Sequence, residues 1–484
     1  MSNFEKNLEL ALNNAKRLSN KILIDGKLTS AKSSNKIEVI NPSTGDNIGA
    51  TPQCDKNDVD LAVESSERAF QKWKRIPARE RGKMVTAGAR RLEERRSEIE
   101  TLLSLDTGNA LRTQAIPETA ASIELTHMFA GLSGELKGEY YPPNIPNSIH
   151  YTTRDPIGVV CAIVPWNAPL FLTVAKIAPA IVAGNSVVLK TAEQAPFCAL
   201  LLAEIFQQEL PPGVLNVISG YGEECGEPLI THEKVRKVTF TGSFEVGKII
   251  AQKAAPKLCP VTLELGGKNP NILMSDADLD IAIQGVIDGM RYTRQGQACT
   301  AGSRIYIQEK IYDKVLAGAV DKLSKFKMGN ALDESSDIGA IISEEQLKRT
   351  LHYMDIAKKT SSAKVIHGGN QPTGGDYKNG FFYEPTLMSG VPVQSPVCQE
   401  EIFGPVACAI PFKTFDEVMK SANDTPFGLS AVLWTQNLSR ALKFAEEIEA
   451  GFVQVNQCVA PRANVSYGGL KMSGLGKEYA FDSM

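Results

Sequence analysis

Two residues between Thr262 and Arg304 have the types that carry acyl chemistry: the carboxylate Glu264 and the thiol Cys299. Cys299 is set among small and polar neighbours, Gly296, Gln297, Ala298, Thr300, Ala301 and Gly302. Such a loop leaves sulfur open to close approach and can aim backbone N–H groups at a bound atom, the conditions a nucleophilic thiol needs. Glu264 follows the short β-prone run 261–263 and precedes Gly266-Gly267, where the chain can turn tightly. A carboxylate so placed can act as a base for water. Taken alone, a cysteine and a glutamate are more often a buried small hydrophobe and a surface charge, so the surrounding elements must decide.

The 484 residues exceed the size at which one hydrophobic core stops growing, which predicts two or three domains. A formal charge of −3 with scattered basic residues gives no field for nucleic acid or an anionic membrane. The N-terminus mixes charges through every turn and has no apolar core of a secretory signal. The longest apolar stretch, 169–189, carries Lys176, Pro179 and Asn185, too polar and too broken for a lipid-exposed span. The expected location is the cytoplasm. Nine dispersed cysteines, never spaced as CxxC, read as reduced thiols, and five unclustered histidines predict no metal site.

In chain order, the pattern predicts an N-terminal amphipathic helix and then a strand pair, 21–28 with 36–41, joined through Gly26. Helices follow from Asp58, over 78–99 and over 117–132. Residues 134–153 read as two extended arms around a proline-rich turn, with Tyr140, Ile145 and Ile149 suggesting an exposed ribbon that pairs with another subunit. Beyond Pro156, short β-branched strands (GVVCAIV, SVVLK, VLNVIS, KVTFT) alternate with helices, the pattern of a doubly wound parallel sheet. Ligands bind beyond the carboxyl ends of such strands. Three of those ends are polar: Val164-Pro165-Trp166-Asn167, Lys190-Thr191-Ala192-Glu193, and Thr241-Gly242-Ser243 running into a helix from Val246. The last offers free N–H groups to a phosphate, although a single GxxxxG is equally an ordinary strand-to-helix turn. A helix over 279–292 leads to the Cys299 loop, strand and helix alternate again to about residue 460, and a glycine-dense loop from Tyr467 to Glu478 closes over the site.

The ordered set VPWN (164–167), KTAE (190–193), FTGS (240–243), LELGGKNP (263–270), GQAC (296–299), EEIFGP (400–405) and the closing glycine loop resembles the NAD(P)-dependent aldehyde dehydrogenase superfamily, over about residues 20–480. The resemblance implies an α/β fold: a doubly wound Rossmann-like cofactor domain (1–132 and 154–265), a second α/β catalytic domain (266–465), and a small β-ribbon oligomerisation element with a C-terminal loop and tail (133–153 and 466–484). It implies that Cys299 attacks an aldehyde, that Asn167 and the Cys299 N–H hold the oxyanion, and that Glu264 activates water on the thioester. Lys176 and Glu478 are similar to the family's proton-relay pair. The implied cofactor contacts are Val164, Pro165, Trp166, Lys190, Glu193, Gly242, Ser243, Leu265, Glu401 and Phe403. A carboxylate at Glu193 accepts from a ribose 2′-OH and repels a 2′-phosphate, favouring NAD, with NADP left open.

Ala175, Thr293, Arg294, Ala298, Thr300, Pro461 and Tyr467 are the expected substrate contacts, in a pocket with fewer aromatic rings than its relatives have. That thinning argues against a quaternary ammonium aldehyde. Arg291, Arg294 and Arg462 could instead welcome a carboxylate or hydroxyl on the substrate, although an arginine near a loop is more often structural. The expected partners are a small-molecule aldehyde and further copies of the chain, as a homodimer or homotetramer. Two other readings stay open: a Cys299-dependent esterase or acyltransferase without nicotinamide, and a coenzyme A-acylating semialdehyde dehydrogenase, which Glu264 opposes because such enzymes lack a base there.

Overall fold

The strands up to Glu264, joined by one late strand at Gly474–Leu475, build one sheet and the strands from Pro270 to Val455 another, and residues 265–269 link the strand that ends at Glu264 to the one that begins at Pro270. The structure, a computed structural model, describes residues 2–484. The first sheet has eight strands in the order Lys27–Thr29, Ile22–Ile24, Leu215–Ile218, Ser186–Lys190, Val159–Ile163, Val235–Thr241, Val261–Glu264 and Gly474–Leu475. The strands from Leu215–Ile218 to Val261–Glu264 run parallel.

Val159–Ile163 and Ser186–Lys190 are buried along their whole length, as a sheet covered by helices on both faces requires. Alternation sorts their side chains between two cores. Val160, Ala162, Val187 and Leu189 pack with the helices Pro169–Val182 and Phe197–Gln207, while Val159, Cys161 and Val188 pack with the helix Lys56–Trp73. Each such buried valine or leucine contributes about 1.5–3 kcal/mol relative to exposure.

The second sheet has seven strands in the order Lys364–His367, Thr386–Ser389, Val406–Phe412, Arg304–Gln308, Pro270–Leu273, Ser430–Trp434 and Phe452–Val455. Only the first pair is antiparallel. The first sheet therefore presents the carboxyl ends of its parallel strands to the seam, and the second presents amino ends, since residues 265–269 and the Cys299 loop lead into Pro270–Leu273 and Arg304–Gln308.

Four local expectations are corrected. Ile22–Ile24 pairs with Lys27–Thr29, not with 36–41. Asp25 and Gly26 both adopt positive φ, 51° and 78°, which closes a two-residue hairpin. Lys36–Ile40 pairs with Asn47–Pro52 across the turn at Pro42 to Gly45. The helix expected over 78–99 breaks at Arg95, which leaves helical geometry (φ −107°, ψ 24°) between Ala78–Glu94 and Arg96–Thr107. The C-terminal loop, set apart as a tail in the sequence reading, is woven into the fold. Gly474–Leu475 pairs with Leu263 and Glu264, and Leu470–Lys471 pairs with Phe427–Gly428.

The ribbon is present but short: Tyr140–Tyr141 pairs with His150–Tyr151, and Tyr140, Ile145, Ile149 and Tyr151 are exposed. Among the described residues no helix is long and apolar enough to cross a membrane.

Candidate active site

Glu264 is the last residue of its strand, locked on one side to Thr241 and on the other to Gly474. Its side chain is buried at the seam between the two sheets. Cys299 reaches the same point from the loop that precedes the strand Arg304–Gln308 of the other sheet. Asn269 ties that loop down, because its side-chain amide donates to the carbonyls of Cys299 (2.7 Å) and Ala301 (3.0 Å). Tyr467 joins the two groups. Its hydroxyl lies 3.6 Å from Cys299 Sγ and 3.3 Å from Glu264 Oε1. Sequence reasoning expected Tyr467 only as a ring lining a pocket.

Burial sets the charges here. The Glu264 carboxyl is pushed up to about 8, first by loss of water and then by Glu478, while Lys176, the nearby Cys299 thiol and the hydrogen bond from Tyr467 pull it back. Burial, with Glu264 adding repulsion, raises the Cys299 thiol well above its ordinary range. At neutral pH both groups therefore hold their protons in the resting site. Lys176, on the helix Pro169–Val182, donates from Nζ to Glu478 Oε1 at 2.7 Å, and Thr239 Oγ1 also donates to that oxygen at 3.1 Å. The expected Lys176–Glu478 pair is thus brought together.

Asn167 follows the strand Val159–Ile163 and is held from three sides. Its side-chain amide donates to Gln297 O at 2.9 Å, which leaves a second N–H free. Its own carbonyl accepts from Asn109 Nδ2 at 3.1 Å and from Arg294 Nη1 at 2.9 Å. Among the described residues the Cys299 N–H has no protein acceptor. One side-chain N–H of Asn167, tied to the Cys299 loop at Gln297, and the backbone N–H of Cys299 are therefore both unspent.

Arg294 departs from the expectation of a substrate contact. Its guanidinium is spent on the protein: Nη2 lies 3.0 Å from Glu118 Oε2, Nε donates to Gln114 Oε1 at 2.8 Å, and Nη1 donates to Asn167 O. Glu118 in turn accepts from the N–H groups of Leu170 and Phe171. Arg291 is also engaged, donating to Val459 O at 2.9 Å. Glu118, Asn109 and Gln114 had no sequence signal, since each is a polar residue inside or beside an ordinary helical pattern.

The remaining expected substrate residues scatter. Thr293 accepts from Gln114 Nε2 at 2.7 Å, and Pro461 and Ala298 are half-buried. Thr300 is buried. Ala175 lines a separate cavity of about 240 Å³ with Lys176, Lys237, Thr239 and Glu478.

The expected cofactor residues sit at the carboxyl ends of the first sheet and on the facing loop. Lys190 ends its strand with Nζ 3.7 Å from the Glu193 carboxylate, and Val164 N donates to Lys190 O at 3.2 Å. Pro165 and Trp166 follow, half-buried. Ser243 caps the helix Phe244–Ala254, its Oγ accepting from Val246 N, so that helix starts two residues earlier than expected. Gly242 N donates to Glu264 O at 3.1 Å, and Leu265 packs under the same helix at Gly247. Across the seam, Glu401 Oε1 accepts from Gly267 N at 3.2 Å. Burial pushes the Glu401 carboxyl up to about 7. Phe403 meets Trp166 edge-on, with ring centroids 5.3 Å apart. The side-chain oxygens of Thr191, Ser219 and Thr241, at the ends of three strands of this sheet, are buried without a hydrogen-bond partner among the described residues. Such a row of unsatisfied hydroxyls is what a polar ligand at the strand ends would satisfy.

A doubly wound sheet facing a second α/β sheet across a thiol, a carboxylate and a free amide is an arrangement suited to holding a polar ligand at the strand ends and to acyl chemistry at the seam. The sequence profile of the aldehyde dehydrogenase family matches residues 28–484. The chain is 39% identical over 473 residues to rat cytosolic aldehyde dehydrogenase 1, covering 96% of this chain and 93% of the relative. It is 38% identical over 463 residues to human retinaldehyde dehydrogenase 3, covering 95% and 89%. Among solved structures, betaine aldehyde dehydrogenase from Staphylococcus aureus in complex with NAD+ superposes with a TM-score of 0.95 at 35% identity, covering 100% of this chain and 95% of that one. The chain belongs to the aldehyde dehydrogenase family, and it is an oxidoreductase acting on aldehydes.

Proposed function

We propose that this enzyme oxidises an aldehyde to the carboxylic acid with NAD, using Cys299 as nucleophile, Asn167 and the Cys299 N–H as oxyanion donors, and Glu264 as the base that activates water. The observation that carries the reading is that Cys299 and Glu264, from different sheets, both lie within hydrogen-bonding reach of one hydroxyl, that of Tyr467. As thiolate, Cys299 adds to the aldehyde carbon, and the alkoxide that forms lies toward the spare amide N–H of Asn167, where a preorganised donor is worth most. A bound NAD supplies the hydride acceptor, and the thiohemiacetal on Cys299 becomes a thioester. Glu264 then removes a proton from water as that water attacks the thioester carbon, releasing the acid and the thiol.

Lys190 and Glu193 suit the adenine ribose. The helix N-terminus at Ser243, with Trp166, Gly242 and Leu265, suits the pyrophosphate, and Glu401 with Phe403 suits the nicotinamide ribose. The unsatisfied hydroxyls of Thr191, Ser219 and Thr241 support a ligand there. Glu193 favours NAD over NADP. The S. aureus relative is a betaine aldehyde dehydrogenase crystallised with NAD+. In this reading residues 1–132 and 154–265 form the cofactor domain and 266–465 the catalytic domain. The exposed 134–153 ribbon joins subunits in a homodimer or homotetramer, and the nine free cysteines suit the cytoplasm.

The test is a screen of short aliphatic, aromatic, hydroxy- and semialdehydes with NAD and NADP, followed at the absorbance of the reduced nicotinamide. Turnover with NAD is expected, and Glu264→Gln should accumulate an acyl-enzyme visible by mass spectrometry. Ester cleavage without nicotinamide reduction would favour the esterase reading instead.

A further inference from the structure

Tyr467 is 1% exposed and has no freedom to choose where its hydroxyl points. Its ring stacks on Tyr479 with centroids 5.0 Å apart and meets the Phe452 ring edge-on at 5.4 Å. Its backbone exchanges hydrogen bonds with Glu478 in both directions, at 2.9 and 2.7 Å. The phenol is therefore fixed from both ends, with its oxygen between Cys299 Sγ and Glu264 Oε1.

An ionised carboxylate only accepts, a thiol can donate, and a phenol does one of each. The three groups then line up in one direction: S–H to Oη, and Oη–H to Oε1. We propose that Tyr467 carries the Cys299 proton to Glu264. The S–H bond of Cys299 breaks as its proton bonds to Tyr467 Oη, and the O–H bond of Tyr467 breaks as its proton bonds to Glu264 Oε1. The products are a thiolate, a neutral phenol and a carboxylic acid. One negative charge moves from carboxylate to sulfur, none is created, and no electrons are exchanged.

Burial and the neighbouring Cys299, Glu264 and Tyr479 hold the phenol proton well above its ordinary range, so Tyr467 passes a proton on without lasting as phenolate. The groups that set when Glu264 can accept are Glu478, Lys176, Cys299 and Tyr467, and Glu401 adds to the field at the sulfur. The relay works only while Glu264 is ionised, so thiolate formation rises as pH climbs toward about 8. This inference rests on the assignment of Cys299 and Glu264 made above and adds a third catalytic residue to it.

The test uses the full-length enzyme and Tyr467→Phe, which keeps the ring between Tyr479 and Phe452 and deletes only the hydroxyl. Alkylation of Cys299 by iodoacetamide is followed by peptide mass spectrometry from about pH 6 to about pH 10, with melting temperature and NAD binding as checks on the fold. Tyr467→Phe is expected to slow Cys299 alkylation near neutral pH by about tenfold, moving the profile up by about one pH unit. In a Glu264→Gln background the same substitution should add nothing. Superimposable profiles for Tyr467→Phe and wild type, or fully additive effects of the two substitutions, would overturn the relay while leaving the nucleophile in place. Continued NADH production by Cys299→Ala would remove the nucleophile and the relay together.

Discussion

The Nζ of Lys176 lies 2.7 Å from Glu478 Oε1 with the lysine side chain wholly buried. The pair acts on the chemistry through charge, because Glu478 raises the Glu264 carboxyl and Lys176 lowers it. The balance of the two sets the pH at which the Glu264 carboxyl, the proposed base, gives up its proton.

Glu478→Gln removes the repulsion and leaves the Lys176 cation unbalanced, and both changes favour ionised Glu264. The rising limb of acyl-enzyme hydrolysis should therefore move to lower pH, and Lys176→Met should move it to higher pH. Single-turnover decay of the acyl-enzyme across pH measures both. Each single variant should also lose about 3–5 kcal/mol of stability, the usual result of stranding one member of a buried ion pair.

Glu264 links stability to pH with the opposite sign from a salt-bridged acid. Its pKa rises from the ordinary carboxylate range to about 8 on folding, so between those values the unfolded chain gives up a proton that the folded chain keeps. Stability contributed by the neutral acid is present in full at low pH and is lost as pH rises toward 8. Glu264→Gln should raise the unfolding free energy at alkaline pH by an amount on the order of a few kcal/mol, and should change nothing near pH 4. Chemical unfolding at the two pH values decides it.

Much of this arrangement was legible before the structure, and the part that was not has a physical cause. The buried β-branched strands announced the parallel sheet, and Glu264, Cys299 and Asn167 stood out because each ends a strand or fills a small-residue loop. Reach across the fold was hidden. Arg294 looked free beside a loop, but its partner Glu118 sits far back in the chain, on the helix Ile116–Gly131. Tyr467 looked like one more ring because nothing in its neighbours says where its hydroxyl ends. The N-terminal hairpin was misread because two adjacent left-handed residues, Asp25 and Gly26, close a shorter turn than the spacing of apolar residues suggested.

Arg294 and Glu118 should behave as one unit that positions Asn167. Glu118 has a side chain only 1% exposed, so Arg294→Gln alone leaves a buried carboxylate unpaired and should cost about 3–5 kcal/mol. Pairing it with Glu118→Gln should recover a large share of that stability, which thermal or denaturant unfolding of the double-mutant cycle measures. Activity should not recover with it, because Arg294 Nη1 is also a donor to the Asn167 carbonyl. A loss in kcat greater than any change in KM would mark the effect as one on Asn167, the proposed oxyanion donor.

Gly266 tests the proposed ribose contact without touching the sulfur. A Cβ on Gly266 would stand 2.1 Å from Glu401 Oε2 and 2.6 Å from Oε1, well inside any tolerated contact. Gly266→Ala therefore forces the Glu401 carboxylate aside and breaks its 3.2 Å bond from Gly267 N. A hydrogen bond to a charged group is worth about 1.5–3 kcal/mol, so NAD affinity should fall about tenfold or more. Cys299 alkylation in the absence of NAD should be nearly unchanged. Adding Glu401→Asp, which withdraws the carboxylate by one carbon, should restore part of the affinity in the Gly266→Ala background while weakening binding in the wild type. Fluorescence titration with NAD across the four proteins reads the interaction. Additive losses would mean that the clash at Gly266 acts through the backbone rather than through Glu401.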